Sequence, residues 1–277
     1  MPQYRLIRDH LSEMSEMLRD VAERPRREAE LLMMAALGFD ALYIMTHQND
    51  LLEADTTQLY AWTIRRSENE PMEYITQEVS FYSQSFHIEP GALIPRPETE
   101  LLIDEVLANV SRDEELTIVE VGVGSGIIST ILAQHLLKAK IIAVDISEDA
   151  LKVARKNIQK FGLENRIELR LGSLLDVVDE SIDVLVSNPP YIALDADLEA
   201  NLDYEPSLAL FGGSIGDEII QQLLDLQEKR NIPLFVCEMG YDQKDKVLNY
   251  MENIGYLTLN FYKDLAGFDR GFVLRYS

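Results

Sequence analysis

The sequence predicts an α/β fold: a doubly wound, mostly parallel sheet of about seven strands with an antiparallel pair at one edge, preceded by a small all-α domain. Three observations predict it. Apolar runs alternate with helical stripes from Leu116 onward, the spacing before residue 80 is helical only, and 277 residues leave room for a compact second unit.

In the first part, Ile7, His10, Leu11, Met14 and Leu18 recur at helical spacing, as do Ala29, Leu32, Met33, Ala36 and Leu37, with Gly38 placed to end that helix. A third helical stretch is expected over residues 51–66, ending before Pro71. His10 reads as a packed histidine, because the four histidines share no metal-ligand spacing. Val79, Phe81, Phe86 and Ile88 then suggest a short β-hairpin linker, and Pro97, Glu98 and Glu100 open a helix over 97–110. Strands at 117–121, 141–144, 167–171 and 182–187 alternate with helices at 127–137 and 147–161; Ser147 caps the second helix and Gly162 stops it. Runs at 234–238, 257–262 and 272–276 complete the sheet, the last two as the antiparallel pair. The expected divisions are a helical recognition domain at 1–78, a hairpin linker at 79–95 and the α/β domain at 96–277.

Composition narrows the function. Hydrophobic residues at 47% and charged residues at 26% are ordinary globular values; no apolar run has membrane-span length, and no secretory segment opens the chain. Cys237 is the single cysteine, so no intramolecular disulfide forms; a core position and a reducing cytoplasm are expected. Acidic residues number 48 against 25 basic ones, a net charge of -23, with fifteen acids and eight bases in residues 1–80 and the remainder beyond. A polyanion repels phosphate backbones, which excludes tight intrinsic nucleic-acid binding and would steer in a basic protein partner; solubility is an equally good reason for the excess.

Two constellations carry chemistry. The turn Gly122-Val123-Gly124-Ser125-Gly126 lies between the first strand of the α/β domain and its helix, where missing Cβ atoms let a ligand approach the backbone. Asp145 ends the next strand, nineteen residues beyond Gly126, where a carboxylate can accept from both hydroxyls of a ribose. The third glycine comes one residue sooner than a dinucleotide cradle requires, which disfavours an NAD-dependent oxidoreductase and suits S-adenosylmethionine, a nucleoside without phosphate. The second constellation is Asn188-Pro189-Pro190-Tyr191, leaving the fourth strand forty-three residues after Asp145. Asn188 Oδ1 and the Pro189 carbonyl can accept from a planar NH2 group and favour the increasingly positive nitrogen of a methyl-transfer transition state. Pro190 stiffens the corner, and Tyr191 offers an aromatic face to the acceptor.

With these motifs, EAELLMMAALG at 28–38, IPRPETE at 94–100, SNPPYI at 187–192, Tyr204-Glu205-Pro206 and KDLAG at 263–267, the chain closely resembles the peptide-chain release factor N5-glutamine methyltransferases, the PrmC/HemK family, over nearly its full length. The resemblance implies a class I S-adenosylmethionine-dependent, Rossmann-like methyltransferase domain behind a helical substrate-recognition domain. It also implies methylation of the glutamine in the Gly-Gly-Gln loop of release factors; a cytoplasmic monomer without metal is expected. Carried over by position, residues 122–126, Asp145, Ser173, Leu174 and Asn188 would bind the cofactor. Asn188 to Tyr191 would hold the glutamine amide, Arg96 to Glu100 would shape the substrate side, and Glu205 would stand behind them. The chain departs from the family at Glu120, where Asp is usual, at Ser173-Leu174, where an acid precedes an aromatic or apolar residue, at Gln77 in place of glycine and at Phe268 in place of arginine. Rival readings are an adenine-N6 nucleic-acid methyltransferase, a ribosomal-protein glutamine methyltransferase and a non-catalytic docking module that binds S-adenosylmethionine.

Overall fold

The computed structural model describes residues 5–196, 202–252 and 254–276. Two compact units result, Met1–Glu78 with Glu199–Tyr204, and Val79–Leu198 with Glu205–Ser277.

In the first unit, α1 (Ile7–Met17), α2 (Pro25–Leu37), α3 (Ala41–Thr46), α4 (Thr57–Ser67) and α5 (Met72–Thr76) bury one apolar cluster. The helical stripes are its core: Ile7, Leu11, Met14 and Leu18 meet Ala29, Leu32 and Met33, joined by Leu59 and Ile75. Each of the Ile, Leu and Met side chains contributes about 1.5–3 kcal/mol relative to exposure. Gly38, at φ 70°, closes α2, and His10 is a packed histidine whose Nδ1 meets the Tyr60 hydroxyl at 2.9 Å. The expected helix over 51–66 begins later, at Thr57. Leu51 is instead bridged to Leu6, Leu52 N–H donates to the Arg5 carbonyl, and Asp55 Oδ1 accepts from both the N–H and the hydroxyl of Thr57. Those bonds give the backbone an alternative to the helix ladder. Gln77 caps α5 at φ 58°, a left-handed conformation that costs a non-glycine residue roughly 1–2 kcal/mol.

The second unit opens with a two-stranded sheet of β1 (Glu78–Phe81) and β2 (Gln84–His87), turned through Tyr82 and Ser83, whose φ values of 51° and 59° suit a two-residue hairpin. Helix α6 spans Thr99–Asn109; Pro97 and Glu98 form the turn before it, shown by the Glu100 N–H donating to the Pro97 carbonyl. There follow β3 (Thr117–Val121), α7 (Ile127–His135), β4 (Lys140–Asp145), α8 (Glu148–Lys160), β5 (Ile167–Leu171) and β6 (Val184–Ser187). A short pair, β7 (Ile192–Ala193) and β8 (Phe211–Gly213), flanks α9 (Ser207–Leu210). Then come α10 (Glu218–Arg230), β9 (Leu234–Glu238), α11 (Lys244–Met251), β10 (Thr258–Lys263) and β11 (Asp269–Arg275).

The main sheet runs β10-β11-β9-β6-β3-β4-β5, parallel from β9 to β5. Strand β11 is antiparallel to both neighbours, so the antiparallel pair stands at the edge as expected, with β10 outermost. Consecutive strand residues feed opposite cores. Ile118, Ala143 and Val186 face the cluster shared with α6, α7 and α8, whereas Val119, Val144 and Leu185 face the one shared with α10 and α11. This period of two, covered by helices on both faces, makes the sheet doubly wound.

Gly126 ends the glycine turn at φ 75°, and a Cβ there would come 2.9 Å from Ala154 Cβ on α8. Gly126→Ala is therefore expected to destabilise the chain by about 1–3 kcal/mol, read as a lower midpoint in urea with an unchanged slope.

Candidate active site

Chain order reverses between β3 and β6: from β3 the sheet grows through β4 to β5, and from β6 it grows through β9 to β11. Open α/β sheets bind ligands at such a switch point, beyond the carboxyl ends of the strands. Both constellations meet there, because Val121 pairs with Ser187 across β3 and β6 and the Ser187 hydroxyl donates to the Val121 carbonyl at 2.8 Å. A Cβ on Gly122 would lie 3.8 Å from the main-chain oxygen of Asn188. The glycine turn and the Asn188 corner therefore share one wall.

A cavity of about 310 Å³ opens at this place, a size that matches small-molecule sites. Gly122, Val123, Gly124, Ser125, Asp145, Ser173, Leu174, Asn188 and Pro190 are among the residues that line it. Asp145 Oδ2 accepts from Gly124 N–H and its Oδ1 from Ser147 N–H, each at 2.9 Å. A carboxylate has about four acceptor positions, so both oxygens keep capacity for a ligand diol. Burial raises the Asp145 pKa, opposed by those N–H groups. Ser125 is fixed from below: buried Asn157 donates through Nδ2 to the carbonyls of Ser125 and His87, both at 2.8 Å. Leu174 stands at φ 50°, placed by the turn after β5.

At the corner, Asn188 is half-buried and its Nδ2 donates to Thr99 Oγ1 at 3.1 Å. Pro189 is buried, and among the described residues no hydrogen bond reaches its carbonyl. Tyr191 is half-buried; its hydroxyl donates to Glu238 Oε1 at 3.4 Å and its carbonyl accepts from Gln243 Nε2 at 3.1 Å. Gly126, Pro189, Tyr191, Arg96 and Glu205 are not among the residues that line the cavity. Glu205 is the tie on that side: its Oε2 accepts from Ile94 N–H at 3.0 Å, and its Oε1 pairs with the Arg96 guanidinium.

Sequence reasoning passed over Glu238 and Gln243 and took Thr99 only as part of 96–100. The available signal was an acid closing the wholly apolar strand β9, on the neighbour of β6. Burial pushes the Glu238 pKa up to about 7, against the Thr99 hydroxyl, while Glu98 raises it further. Glu120 is wholly buried on β3, and burial pushes its pKa up to about 8, against the Ser129 hydroxyl that donates to it.

Comparison with known proteins gives the same picture. Residues 112–254 match the family described as "Methyltransferase domain", 9–76 match the "PrmC N-terminal domain" and 47–174 match "Protein-L-isoaspartate(D-aspartate) O-methyltransferase (PCMT)". A release factor glutamine methyltransferase of Koribacter versatilis is 38% identical over 254 residues, covering 89% of each chain. Those of Clostridium acetobutylicum and Coxiella burnetii are both 32% identical; the first covers 88% of each chain, the second 97% of this chain and 98% of its own. Among solved structures, the hMettl16 catalytic domain, in complex with the MAT2A 3'UTR hairpin 6, superposes with a TM-score of 0.55 at 13% identity, covering 79% of this chain and 81% of that one. A human methyltransferase 10 domain containing protein does so at 0.52 and 19%, covering 69% and 87%. At such identities these two share the fold alone.

Glu120 generates a pH dependence. Between its usual 4.5 and about 8, the folded chain holds a proton that the unfolded chain has released. Its stabilising contribution is complete below the first value and lost as pH rises through the second. Thermal melts across that window are expected to show this decline in the wild type and a flatter profile in Glu120→Gln.

Proposed function

The chain belongs to the release factor glutamine methyltransferase family, and on that premise we propose that it transfers the methyl group of S-adenosylmethionine to the side-chain amide nitrogen, N5, of the glutamine in the Gly-Gly-Gln loop of peptide chain release factors. The observation that carries this reading is that the glycine turn, Asp145 and Asn188 line one nucleoside-sized cavity, with Gly122 beside the Asn188 main chain.

The residues present fit the cofactor. Gly124 has open space where a side chain would stand, Asp145 retains acceptor capacity for a ribose diol, and Leu174 gives the wall an apolar surface. Gly122 to Gly126, Asp145, Ser173 and Leu174 would hold it. When bound, S-adenosylmethionine supplies a methyl group on positively charged sulfur. An amide nitrogen is a weak nucleophile because its lone pair is delocalised into the carbonyl. Asn188 Oδ1, on the cavity wall, accepts from the glutamine NH2 and favours the form in which that lone pair returns to nitrogen, and the Pro189 carbonyl next to it is the second acceptor the corner offers. Pro190, on the cavity wall, restrains the corner, and Tyr191 is braced by Glu238 and Gln243. Arg96, anchored on Glu205, shapes the substrate side. No strong base is needed, since the methylated nitrogen is acidic and loses its proton readily.

The charge supports a protein substrate. With a net charge of -23 the chain attracts the basic surface that a release factor needs for its own RNA contacts and repels free nucleic acid. Among the described residues no helix is long and apolar enough to cross a membrane. We place the enzyme in the cytoplasm, as a monomer, alongside translation.

A labelled-methyl assay tests the assignment with release factor, ribosomal protein and DNA offered separately. Label is expected on the release factor, and Asn188→Ala is expected to lower kcat by roughly 10²–10³-fold while cofactor binding and fold persist. Labelling of nucleic acid alone, or near-normal turnover by the variant, is the contrary result.

A further inference from the structure

The Asn188 corner has two ends, and the sheet holds only the first. Ser187 pairs with Val121 on β3 and with Cys237 on β9, and its hydroxyl donates to the Val121 carbonyl, so the chain enters Asn188 from a fixed point. Pro189 and Pro190 carry no N–H, so no donor of theirs can fasten the main chain that follows. The place of the Asn188 and Pro189 oxygens therefore depends on what holds the far end, at Tyr191.

We propose that Gln243 is a positioning residue for methyl transfer: its side-chain amide fixes the Tyr191 end of the corner and, through it, where the two acceptor oxygens stand relative to the cavity. The inference rests on the function proposed above. Gln243 directly precedes α11 and is 2% exposed. At that position a side chain ordinarily accepts from the first N–H groups of the helix, and Gln243 makes no such bond. Its amide is turned to three loops instead. Oε1 accepts from Gly240 N–H, just after β9, at 2.9 Å. Nε2 donates to the Tyr191 carbonyl at 3.1 Å and to the carbonyl of Gly216, between β8 and α10, at 3.0 Å.

The sense of these bonds follows from the groups themselves. A main-chain N–H can only donate, so Gly240 selects the oxygen end of the amide, and both hydrogens of the NH2 end are left for the two carbonyls. Those carbonyls belong to main chains in close contact. A Cβ on Gly216, whose φ is 87°, would come 2.6 Å from the Tyr191 oxygen and 3.0 Å from Ala193 N. One NH2 group thus joins the corner to the loop before α10, and the same side chain ties both to the end of β9. The Tyr191 hydroxyl adds a longer bond to Glu238 Oε1, at 3.4 Å. Between Ser187 and this anchor the two prolines, each with φ confined near about −65°, leave the corner few free rotations.

A misplacement of about 1 Å at a reacting centre lowers a rate by about 10²-fold. Removing the Gln243 amide frees the Tyr191 main chain and leaves Gly122 to Ser125, Asp145 and Leu174 untouched, so the loss falls on the chemical step and not on cofactor binding. The fold contains a matched control. Gln227, on α10, is 1% exposed and also donates through Nε2 to two main-chain carbonyls, those of Ile232 at 3.2 Å and Leu274 at 3.4 Å. These lie where β9 begins, at the end of the strand remote from the corner.

The test measures kcat, KM for a purified release factor, affinity for S-adenosylhomocysteine and the urea midpoint for the full-length wild type, Gln243→Met, Gln243→Asn and Gln227→Met. Methionine keeps the length and removes donor and acceptor; asparagine keeps the amide and withdraws it by one C–C bond, about 1.5 Å. Both Gln243 variants should lower kcat on the order of 10²-fold, with KM and S-adenosylhomocysteine affinity unchanged. Gln227→Met should lower the urea midpoint as they do and leave kcat unchanged. Wild-type kcat in either Gln243 variant, a loss confined to KM or to cofactor affinity, or an equal fall of kcat in Gln227→Met overturns the positioning role while leaving the assignment standing. A wild-type chain that labels no release factor overturns both.

Discussion

The site depends on the parallel pairing of β6 against β3. That register sets Ser187 beside Val121, so the two loops leaving these strands emerge side by side although 66 residues separate the paired positions. Each loop alone is ordinary: one is a tight glycine turn into a helix, the other a proline corner. Side by side at the reversal point of the sheet they line one space, to which the glycine turn and Asp145 contribute together with Asn188 and Pro190. The pairing is held from both faces. Strand residues interdigitate with α6, α7 and α8 on one side and with α10 and α11 on the other, so a shift of register would carry apolar side chains from one core to the opposite one.

A second theme is acid at the carboxyl ends of strands. Glu120, Asp145 and Glu238 occupy β3, β4 and β9, all with pKa values raised first by burial. Their partners differ and so do their roles. Asp145 takes two backbone N–H groups and keeps acceptor capacity toward the cavity. Glu238 takes the Tyr191 hydroxyl on Oε1 and leaves Oε2 unpartnered among the described residues. Glu120 takes one hydroxyl on Oε2 and leaves Oε1 unpartnered among the described residues, which favours its neutral form. Unsatisfied polar atoms of this kind cost stability and concentrate where a chain serves chemistry rather than packing.

Much of this was legible before any coordinates. The strands at 117–121 and 234–238 coincide with β3 and β9 because buried strands read as mostly apolar runs, and that at 167–171 coincides with β5, an edge strand that alternates apolar with charged residues. Ser147 accepts from Ala150 N–H as a capping residue should. The glycine turn, Asp145 and Asn188 could be found because each is a local signal at a fixed distance from a strand end. What stayed hidden was lateral or conformational. The late start of α4 comes from pairing between Leu51 and Leu6, far apart in sequence. Glu238 looks like the polar end of a strand until β9 is known to lie beside β6. Thr99 becomes meaningful only when Asn188 is found against it. Of the four residues read as one corner, Asn188 and Pro190 line the cavity and Pro189 and Tyr191 do not.

The placement of β11 bears on biogenesis. It is the last strand in chain order, yet it lies between β10 and β9, with Gly271 paired to Glu238. On a translating ribosome, β9 must wait as a bare edge until Asp269–Arg275 leave the exit tunnel, with its ladder groups open to water or to any passing strand. Premature termination between the end of β9 and Asp269 would yield a nascent polypeptide that carries every residue of the nucleoside wall while β9 lacks its outer neighbour. An enzyme of termination would thus be one whose own maturation is sensitive to early stops.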